Sequence, residues 1–477
     1  MTAAMRNTSL LKNIDWLTLV LYLLLVGLGW MNIYAAVYNE EHRSILDFSQ
    51  RYGKQLVWIL ASFVLIITIF FIDSKFFSFF AYLLYLLSIL SLVAVLIVGK
   101  EIHGARSWFE IGIFNLQPGE FAKIATSLAL AKLLSSYNFK IYQVWSVIII
   151  FIIIGIPAAL IVLQPDMGTA LVFAAFIIVI YREGFSLILM VTGILFILLF
   201  IASLLVDKLI ILLALTFLGL IVYWVFSRQS RQVFRAILIL AVISALVYLI
   251  NYFLIKQLGE YFMAIISLLS AGIVYMAYAY RKRIRSVYII LLVFFVSVAY
   301  TFSVDYVFNE VLKEHQQRRV NILLGFEDDP LGMGYNVNQS KIAIGSGGLT
   351  GKGFLQGTQT KYDFVPEQST DFIFCTIGEE WGFLGTSFVI ALFMFLLLRL
   401  IMLAERQRSD FSRIYGYGVV SVLFFHFAVN IGMTIGLIPV IGIPLPFLSY
   451  GGSSLWSFTI LLFILIRLDA SRMDLIR

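Results

Sequence analysis

One carboxylate near the end of the main polar passage is the first candidate for chemistry. Residues 341–381 form a glycine-rich stretch in a chain that is otherwise mostly apolar, and Asp371 lies near its end, just before the sequence becomes apolar again. Aromatic and β-branched side chains such as Tyr362 and Val365 favour a folded loop over a disordered one. A folded polar loop that brings a carboxylate to a membrane surface can supply a general base.

Asp371 also has a purely structural interpretation. Ser369 and Thr370 precede it and are good helix-capping residues, and a carboxylate at a helix start is stabilised by the helix dipole. The two interpretations are compatible. An ionised, dipole-stabilised aspartate is a weak base, and it would accept a proton only in concert with departure of a leaving group.

The second candidate for chemistry is the charged pair Glu120 and Lys123. These residues follow Gln117 and Pro118 at a predicted helix start. Proline and glutamate are ordinary in a first helical turn, and the i,i+3 spacing places Glu120 and Lys123 on one helix face, where they can pair. On a soluble helix this would be a surface pair of a few tenths of a kcal/mol. Because this helix enters a membrane, a functional pair is an equally good interpretation.

Three more polar interruptions remain open to both structural and functional interpretations. The sequence QPDMGT at 164–169 predicts a tight turn in which Asp166 caps the next helix. Segment 321–339 carries turn signals at 328–334, and Arg318 just ahead of it could bind phosphate or be solvated. Segment 438–454 contains three prolines and three glycines, so one uninterrupted helix is not expected there.

Several kinds of site are excluded or disfavoured. The glycines of 347–353 resemble a phosphate loop only faintly, with the wrong spacing and no Ser or Thr after Lys352. The four histidines show no zinc-ligand spacing, and His426, amid apolar residues, is better explained as a packed or pore-facing histidine. The single cysteine, Cys375, excludes an internal disulfide. No metal-ligating residues are predicted.

Composition identifies the class of protein that must position these residues. Of 477 residues, 61% are hydrophobic and 13% are charged, with a mean hydropathy of +0.97. Soluble domains average about 25% charged residues, so the chain is an integral membrane protein. The recurring apolar windows described next make it an all-α polytopic one. The net charge of +7 is better explained by the sorting of basic loops to one membrane face than by nucleic-acid binding.

Apolar windows near the length of a membrane span recur along the chain. About fourteen are predicted, at 15–37, 55–72, 76–98, 119–135, 145–163, 167–181, 186–206, 209–226, 234–254, 261–280, 287–305, 383–404, 415–438 and 452–468. Most short basic loops fall on one face if the N-terminus is cytoplasmic. Loop 306–370 is then extracytoplasmic, where no ATP is present, so the energy for any reaction must be stored in the substrate.

The motifs together resemble the SEDS family of polytopic peptidoglycan glycosyltransferases. The matching passages are GARSW at 104–108, QPGEFAK at 117–123, QPDMGT at 164–169, GSGG at 345–348, VPEQSTDF at 365–372, GEE at 378–380 and PLPFLSYGG at 444–452. Passages 317–324, 328–332 and 351–359 favour the RodA branch over the FtsW branch. The resemblance covers roughly 10–205 and 306–470, in that order.

The resemblance implies that the chain polymerises lipid II during cell elongation, with inversion at the anomeric carbon and undecaprenyl pyrophosphate as the leaving group. It makes Asp371 the catalytic carboxylate. The substrate-binding candidates are Arg106, Glu120, Lys123, Asp166, Arg318, Lys341, Glu367 and Ser449. The implied partners are lipid II, undecaprenyl-linked glycan and a class B penicillin-binding protein. No cofactor is definite, and a divalent cation, Mg²⁺ or Mn²⁺, is left open.

Alternatives from other classes are a flippase for lipid-linked precursors, which would use the same cavity and cations, and a scaffold for cell-wall enzymes. The family has about ten spans, whereas this chain has about four extra helices, and region 209–286 matches no recognised passage. The predicted organisation is N-terminal helices at 1–206, inserted accessory helices at 207–286, one helix at 287–305, a long structured extracellular loop at 306–382 and C-terminal helices at 383–477.

Overall fold

Helices make up nearly all of the fold in the computed structural model. The described residues are 13–38, 47–102, 104–112, 114–137, 139–255, 258–284, 286–312, 314, 317–318, 321, 333–362 and 364–473. The predicted turn signals at 328–332 lie outside them. The all-α architecture is confirmed for the described part of the chain, and the one addition is a sheet of three short strands.

Residues 16–182 form eight helices and that sheet. They are α1 (Trp16–Val37), α2 (Arg51–Phe71), α3 (Ser74–Phe79), α4 (Ala81–Val98), α5 (Pro118–Leu134), α6 (Val144–Leu163), α7 (Met167–Val172) and α8 (Phe176–Arg182). The strands are β1 (Lys100–Ile102), β2 (Ala105–Ile111) and β3 (Phe114–Leu116), paired antiparallel in that order. The sequence analysis did not foresee these strands, which are too short for a periodic pattern to show.

Five helices follow: α9 (Leu187–Leu205), α10 (Lys208–Ser227), α11 (Ser230–Ile250), α12 (Glu260–Lys282) and α13 (Ser286–Tyr306). The last five are α14 (Met333–Ser346), the single turn α15 (Thr358–Lys361), α16 (Ile373–Glu405), α17 (Asp410–Thr434) and α18 (Gly452–Ala470). Residues 435–451 form no helix, as the prolines and glycines there predict.

Eleven helices of the described part are long and apolar enough to cross a membrane. They coincide with eleven of the predicted windows, and the windows at 119–135, 167–181 and 186–206 fall on shorter apolar helices or on α5, which has 17 residues. Most of α5 is buried inside the protein, including Thr126 and Ser127. A helix surrounded by protein rather than lipid can carry this many polar residues.

The chain divides into two compact units. Residues 1–185 and 325–477 form the first, and residues 186–324 form the second. The largest core cluster joins α1, α5, α16, α17 and α18 within the first unit. Inside the second unit, smaller clusters join α9, α10 and α13 at one level and α10, α12 and α13 at another.

Helix α16 contains a sharp break at Gly382, where φ is +64° and ψ is −159°. A side chain cannot adopt this backbone conformation without strain, and a β-carbon there would lie 2.3 Å from the backbone nitrogen of Gly351. The break lets residues 347–353 pack against the helix, with Phe383 N donating to Gly348 O at 2.9 Å. The helix therefore begins ten residues before the predicted span at 383, and its first turns belong to the loop region.

The far end of α16 is held by ion pairs in which the carboxylates are buried and the arginines are partly exposed. Arg399 pairs with Asp15 at the start of α1, and Arg406 pairs with Asp469 near the end of α18. Burial raises the pKa of Asp15, but hydrogen bonds from Arg399 and Thr18 outweigh it and lower that pKa to about 2. Asp15 is therefore ionised at neutral pH and helps to fix the end of α16 that is remote from Asp371.

Candidate active site

Asp371 is positioned by its backbone. It lies just before α16, and its carbonyl oxygen accepts a hydrogen bond from Asn430 Nδ2 at 2.8 Å. The same amide nitrogen donates to Ile443 O at 2.7 Å, and Asn430 is completely buried in α17. Because one amide holds both carbonyls, Asn430 joins the Asp371 loop to the irregular segment 435–451.

The Asp371 carboxylate lies against Gly442 of that segment. A β-carbon on Gly442, whose φ is +76°, would be 3.4 Å from Asp371 Oδ2. Gly168, at the start of α7, approaches the same stretch so closely that a β-carbon there would meet Ile441 O at 2.6 Å. Segment 435–451 is thus packed between the turn that contains Asp166 and the loop that carries Asp371.

Ser449 holds the loop one residue upstream of Asp371. Its hydroxyl donates to Thr370 O at 2.6 Å and accepts from Leu445 N at 2.8 Å, and the residue is buried. Tyr450 N also donates to Ser369 O at 2.8 Å. The geometry supports a positioning function for Ser449, and its predicted contact with substrate stays a prediction.

Glu367 forms the turn that precedes Asp371. Its φ is +53°, and its carbonyl accepts from the backbone nitrogens of Thr370 at 3.1 Å and Phe372 at 3.2 Å. Its carboxylate lies 3.5 Å from Arg51 Nη1, which also donates to Ser369 Oγ at 2.7 Å. Both charged side chains remain about half exposed, so they can exchange this weak ion pair for contacts with a charged ligand.

Glu379 anchors the part of the loop before Glu367. Its buried carboxylate accepts from Lys352 Nζ at 2.6 Å and from the backbone nitrogens of Gln359 and Thr360 at 2.8 and 2.9 Å. A carboxylate that satisfies three donors holds the loop firmly onto α16. The loop is therefore folded over its described residues, as the sequence analysis predicts.

Glu120 and Lys123 form the ion pair that their spacing predicts, with Nζ 2.9 Å from Oε1. They do not lie on the surface, because the side chains are 3% and 1% exposed. Lys123 Nζ also lies 2.9 Å from His426 Nε2, and Ser457 Oγ donates to Glu120 Oε2 at 2.9 Å. The surface interpretation is therefore wrong, and the pair belongs to a buried polar cluster.

Donor and acceptor rules determine the form of His426. A lysine ammonium can only donate, so His426 Nε2 accepts from it. The ring proton is then on Nδ1, which points to Pro444 O at 3.2 Å. His426 is therefore a neutral histidine that connects the buried pair on α5 to segment 435–451, the same segment that contacts Asp371.

Asp166 caps α7, as predicted, by accepting from Thr169 N at 3.1 Å and from its hydroxyl at 2.9 Å. It also accepts from Gln117 Nε2 at 2.7 Å, which joins the turn before α7 to the residue that precedes α5. Burial raises the pKa of the Asp166 carboxyl, although the hydrogen bonds from Thr169 act in the opposite direction. Its position is structural, and a contact with substrate stays a prediction.

The remaining candidate cations are exposed. Arg106 lies on β2, Lys341 lies on α14 with its ammonium against the backbone of Gly436, and Arg318 lies in the second unit. Within the described residues, no group of three or more His, Cys, Asp or Glu side chains could hold a metal ion. The need for a divalent cation stays open.

Comparison with known proteins identifies the family. A model of the FtsW/RodA/SpoVE family, described as cell cycle protein, matches residues 15–215 and 209–474. The chain belongs to this family. The resemblance inferred from the motifs is therefore confirmed.

Relatives in the FtsW/RodA/SpoVE family match along most of the chain. Peptidoglycan glycosyltransferase RodA of Treponema pallidum (strain Nichols) is 34% identical over 467 residues, which cover 97% of this chain and 99% of that protein. Peptidoglycan glycosyltransferase MrdB of Helicobacter pylori (strain J99) is 30% identical over 424 residues, which cover 88% of this chain and 83% of that protein.

Solved structures agree on the fold. RodA of Thermus thermophilus matches with a TM-score of 0.55 and 23% identity, covering 96% of this chain and 97% of that chain. A chain from a peptidoglycan synthase complex matches with a TM-score of 0.62 and 24% identity, covering 96% of this chain and 98% of that chain. At these identities the similarity supports the family's fold alone.

Sequence analysis missed Asn430, and it interpreted His426 as a packed or pore-facing histidine without linking it to the site. Both are buried polar residues in the apolar helix α17, and their i,i+4 spacing puts them on one helix face. Polar side chains at that spacing in a membrane helix are a signal for a packed polar contact. Arg51 was missed as a neighbour of Glu367 because nothing local links residues so distant in sequence.

Proposed function

We propose that this chain is a peptidoglycan glycosyltransferase that polymerises lipid II into glycan strands during cell elongation. The observation that carries the proposal is the position of Asp371. Its carboxylate stands at the start of α16 beside Gly442, on a backbone held by the buried side chains of Asn430 and Ser449. The Treponema relative, named peptidoglycan glycosyltransferase RodA and 34% identical over 97% of this chain, supports the reaction class.

In the proposed reaction, the 4-hydroxyl of an incoming lipid II attacks the anomeric carbon of the growing glycan. A carbon–oxygen bond forms to the acceptor as the bond to the pyrophosphate oxygen breaks, with inversion of configuration. The hydroxyl proton passes to the Asp371 carboxylate, and undecaprenyl pyrophosphate leaves with the bonding electrons. A partly exposed aspartate at a helix start is suited to accept this proton in concert with departure of the leaving group.

Exposed cations near polar segments supply candidates for pyrophosphate binding. Lys341 and Arg106, two of the substrate-binding candidates from the sequence, are exposed and can make this contact. Arg51 joins them because it lies beside Glu367 and Ser369. Lys123 is bonded to Glu120 and His426 in the interior. We therefore assign Lys123 and Glu120 to holding segment 435–451 in place rather than to direct pyrophosphate contact.

The proposal includes an orientation and a partner. The N-terminus is cytoplasmic and the Asp371 loop is extracytoplasmic, in a bacterial cytoplasmic membrane, because basic loops concentrate on the face opposite that loop. A class B penicillin-binding protein is the proposed transpeptidase partner. The solved chain with the same fold, from a complex described as coordinating polymerization and crosslinking, motivates that choice.

The deciding experiment is glycan polymerisation from lipid II by purified protein, with wild type compared against Asp371→Asn. Loss of the base should lower the rate by at least about 10²-fold while lipid II still binds. A matched control is Asp410→Asn, which removes a carboxylate from the first turn of α17, where the side chain is 70% exposed. Its rate should stay close to that of wild type.

Other outcomes separate the alternatives. An Asp371→Asn rate within a few-fold of wild type would remove Asp371 as the base. Lipid II translocation by wild type without any glycan polymer would favour a flippase. Failure of both activities in a folded, partner-bound preparation would favour a scaffold.

A further inference from the structure

A cavity of about 100 Å³ lies inside the second unit, among helices α10, α11, α12 and α13. Most of its wall is hydrocarbon, from side chains such as Leu220, Leu240, Leu268 and Phe294. Helix α11 contributes no buried residue to the fold, so this side of the cavity is only loosely covered. An apolar space of this kind binds apolar groups rather than water.

One end of the cavity is closed by phenol groups. Tyr275 donates its hydroxyl proton to Tyr223 Oη at 2.7 Å, and Tyr223 donates to Gln232 Oε1 at 2.7 Å. Both tyrosines line the cavity, and Gln232 lies in the first turn of α11. The apolar space therefore ends in a polar layer at the level where α10 ends and α11 begins.

A cation continues that layer toward the surface. The rings of Tyr275 and Tyr278 are 5.6 Å apart, and the guanidinium of Arg235 lies 5.9 Å from the centre of the Tyr278 ring and donates to its hydroxyl. Arg231 precedes Arg235 by four residues, so the two share one face of α11. Toward the surface, the apolar space comes first, the tyrosine hydroxyls next and the Arg235 guanidinium last.

The positive charge at this end is not balanced by acidic residues of the same helices. The described basic residues there are Arg228, Arg231, Arg235, Arg281, Lys282 and Arg283. From 208 to 304 the sequence contains a single acidic residue, Glu260, and it starts α12 at the opposite end. Sorting of basic loops explains the charge by itself, but it does not explain an apolar cavity and a phenol layer directly beneath the charge.

We propose that this end of the second unit is a binding site for an anionic diacyl phospholipid. Part of one acyl chain occupies the cavity, and the headgroup phosphate binds Arg231 and Arg235 above the tyrosines. Basic pockets between membrane helices bind anionic headgroups in this way, and arginine recognises phosphate through paired N–H groups. The site is separate from Asp371 and does not depend on the proposed glycosyl transfer.

The first test compares binding of phosphatidylglycerol and phosphatidylcholine, with identical acyl chains, to delipidated full-length protein in detergent. We expect one saturable phosphatidylglycerol site and an affinity for phosphatidylcholine at least about tenfold weaker. Arg231→Gln/Arg235→Gln should lose that preference. The control Lys75→Gln/Arg408→Gln removes two exposed charges from the first unit and should leave the affinity within about twofold.

The second test addresses the cavity. Gly219→Leu should fill it, because a β-carbon there meets only Phe294, at an ordinary 3.6 Å, and should weaken phosphatidylglycerol binding at least about tenfold. Ala214→Leu, on an exposed part of α10, is the matched control. If Gly219→Leu does not fold, Ala236→Leu fills the cavity from α11.

Three results would overturn the proposal. Equal affinities of the wild type for the two lipids would show that the protein has no headgroup site. Unchanged binding by the arginine double variant would show the same. Unchanged binding by a folded cavity-filling variant would remove the acyl-chain site. Free glycerol phosphate, at the concentrations used for the lipids, should not displace phosphatidylglycerol. Full displacement would show that the protein recognises the phosphate alone and not the acyl chain.

Discussion

Asn430 is the side chain on which the position of Asp371 depends most directly. Its single amide nitrogen holds the carbonyl of Asp371 and that of Ile443, and at this fully buried position a carbonyl that loses its donor carries a desolvation cost. The residue touches no reacting atom, so it is a positioning residue. A comparable buried amide, Asn32, donates to Leu28 O within its own helix.

We expect Asn430→Leu to lower kcat for glycan polymerisation by at least about tenfold and to leave KM for lipid II within about twofold, because misplacement of a catalytic group affects the chemical step. Each carbonyl left without its donor also costs about 1–3 kcal/mol of stability. Asn32→Leu serves as the control for that loss of stability. Equal kinetic losses in the two variants would show that Asn430 has no special relation to Asp371.

At the scale of elements, the break in α16 determines how the loop meets the helix. Residues 347–353 pack where Gly382 leaves the helical conformation, with Leu384 N donating to Leu349 O at 3.1 Å and Gly353 N donating to Glu380 O at 3.0 Å. The helix before the break then presents Glu379 to the loop backbone. A straight helix would place these groups on a different side.

Gly382→Ala should therefore destabilise the protein by about 1–3 kcal/mol, the cost of a disfavoured backbone conformation, and open the loop to protease. Gly345→Ala is the control, because its β-carbon in α14 would meet no heavy atom within 4 Å. Thermal unfolding in detergent and limited proteolysis at residues 347–362 measure both effects. A Gly382→Ala protein as stable and as protease-resistant as the control would show that the break is not required.

At the scale of the whole molecule, α11 and α12 form a pair that can be removed as a unit. Helix α10 ends at Ser227 and α13 begins at Ser286, and Tyr223 and Val287 share one core cluster. The two cut ends are therefore close, and a short Gly-Ser linker can join them. Helix α11 has no buried residues, whereas α12 packs Tyr275 and Ala279 into that cluster, so the excision exposes mainly the core face that α12 covers.

Excision of 229–284 removes an even number of spans, so the orientation of the Asp371 loop should be retained and glycan polymerisation should stay within a few-fold of wild type. Excision of α10 alone removes one span, an odd number, and should reverse the membrane orientation of every span that follows. Labelling of Tyr362→Cys by a membrane-impermeant maleimide reports the orientation, since Tyr362 is 67% exposed and Cys375 is buried. Loss of activity in a correctly oriented, stable double-helix deletion would show that the pair is needed for catalysis.

The sequence by itself determined the membrane class, most of the spans and the existence of a folded polar loop. These properties depend on local composition, because each apolar window must satisfy its own backbone hydrogen bonds by forming a helix in the bilayer. The Glu120–Lys123 pair and the Asp166 cap were predictable for the same reason, since both are set by spacing within one helix turn. The early start of α16 and the three short strands were not, because a tertiary contact at Gly382 and a short meander leave no periodic pattern.

Only the tertiary structure decided which polar side chains meet. Lys123 and His426 are 303 residues apart in sequence, and Ser457 is 337 residues from Glu120, yet all four form one buried cluster. Hydropathy and spacing describe single helices, whereas the choice of neighbours follows from how whole helices pack against one another. Asn430 contacts Asp371 for the same reason, because α17 packs against the loop and segment 435–451.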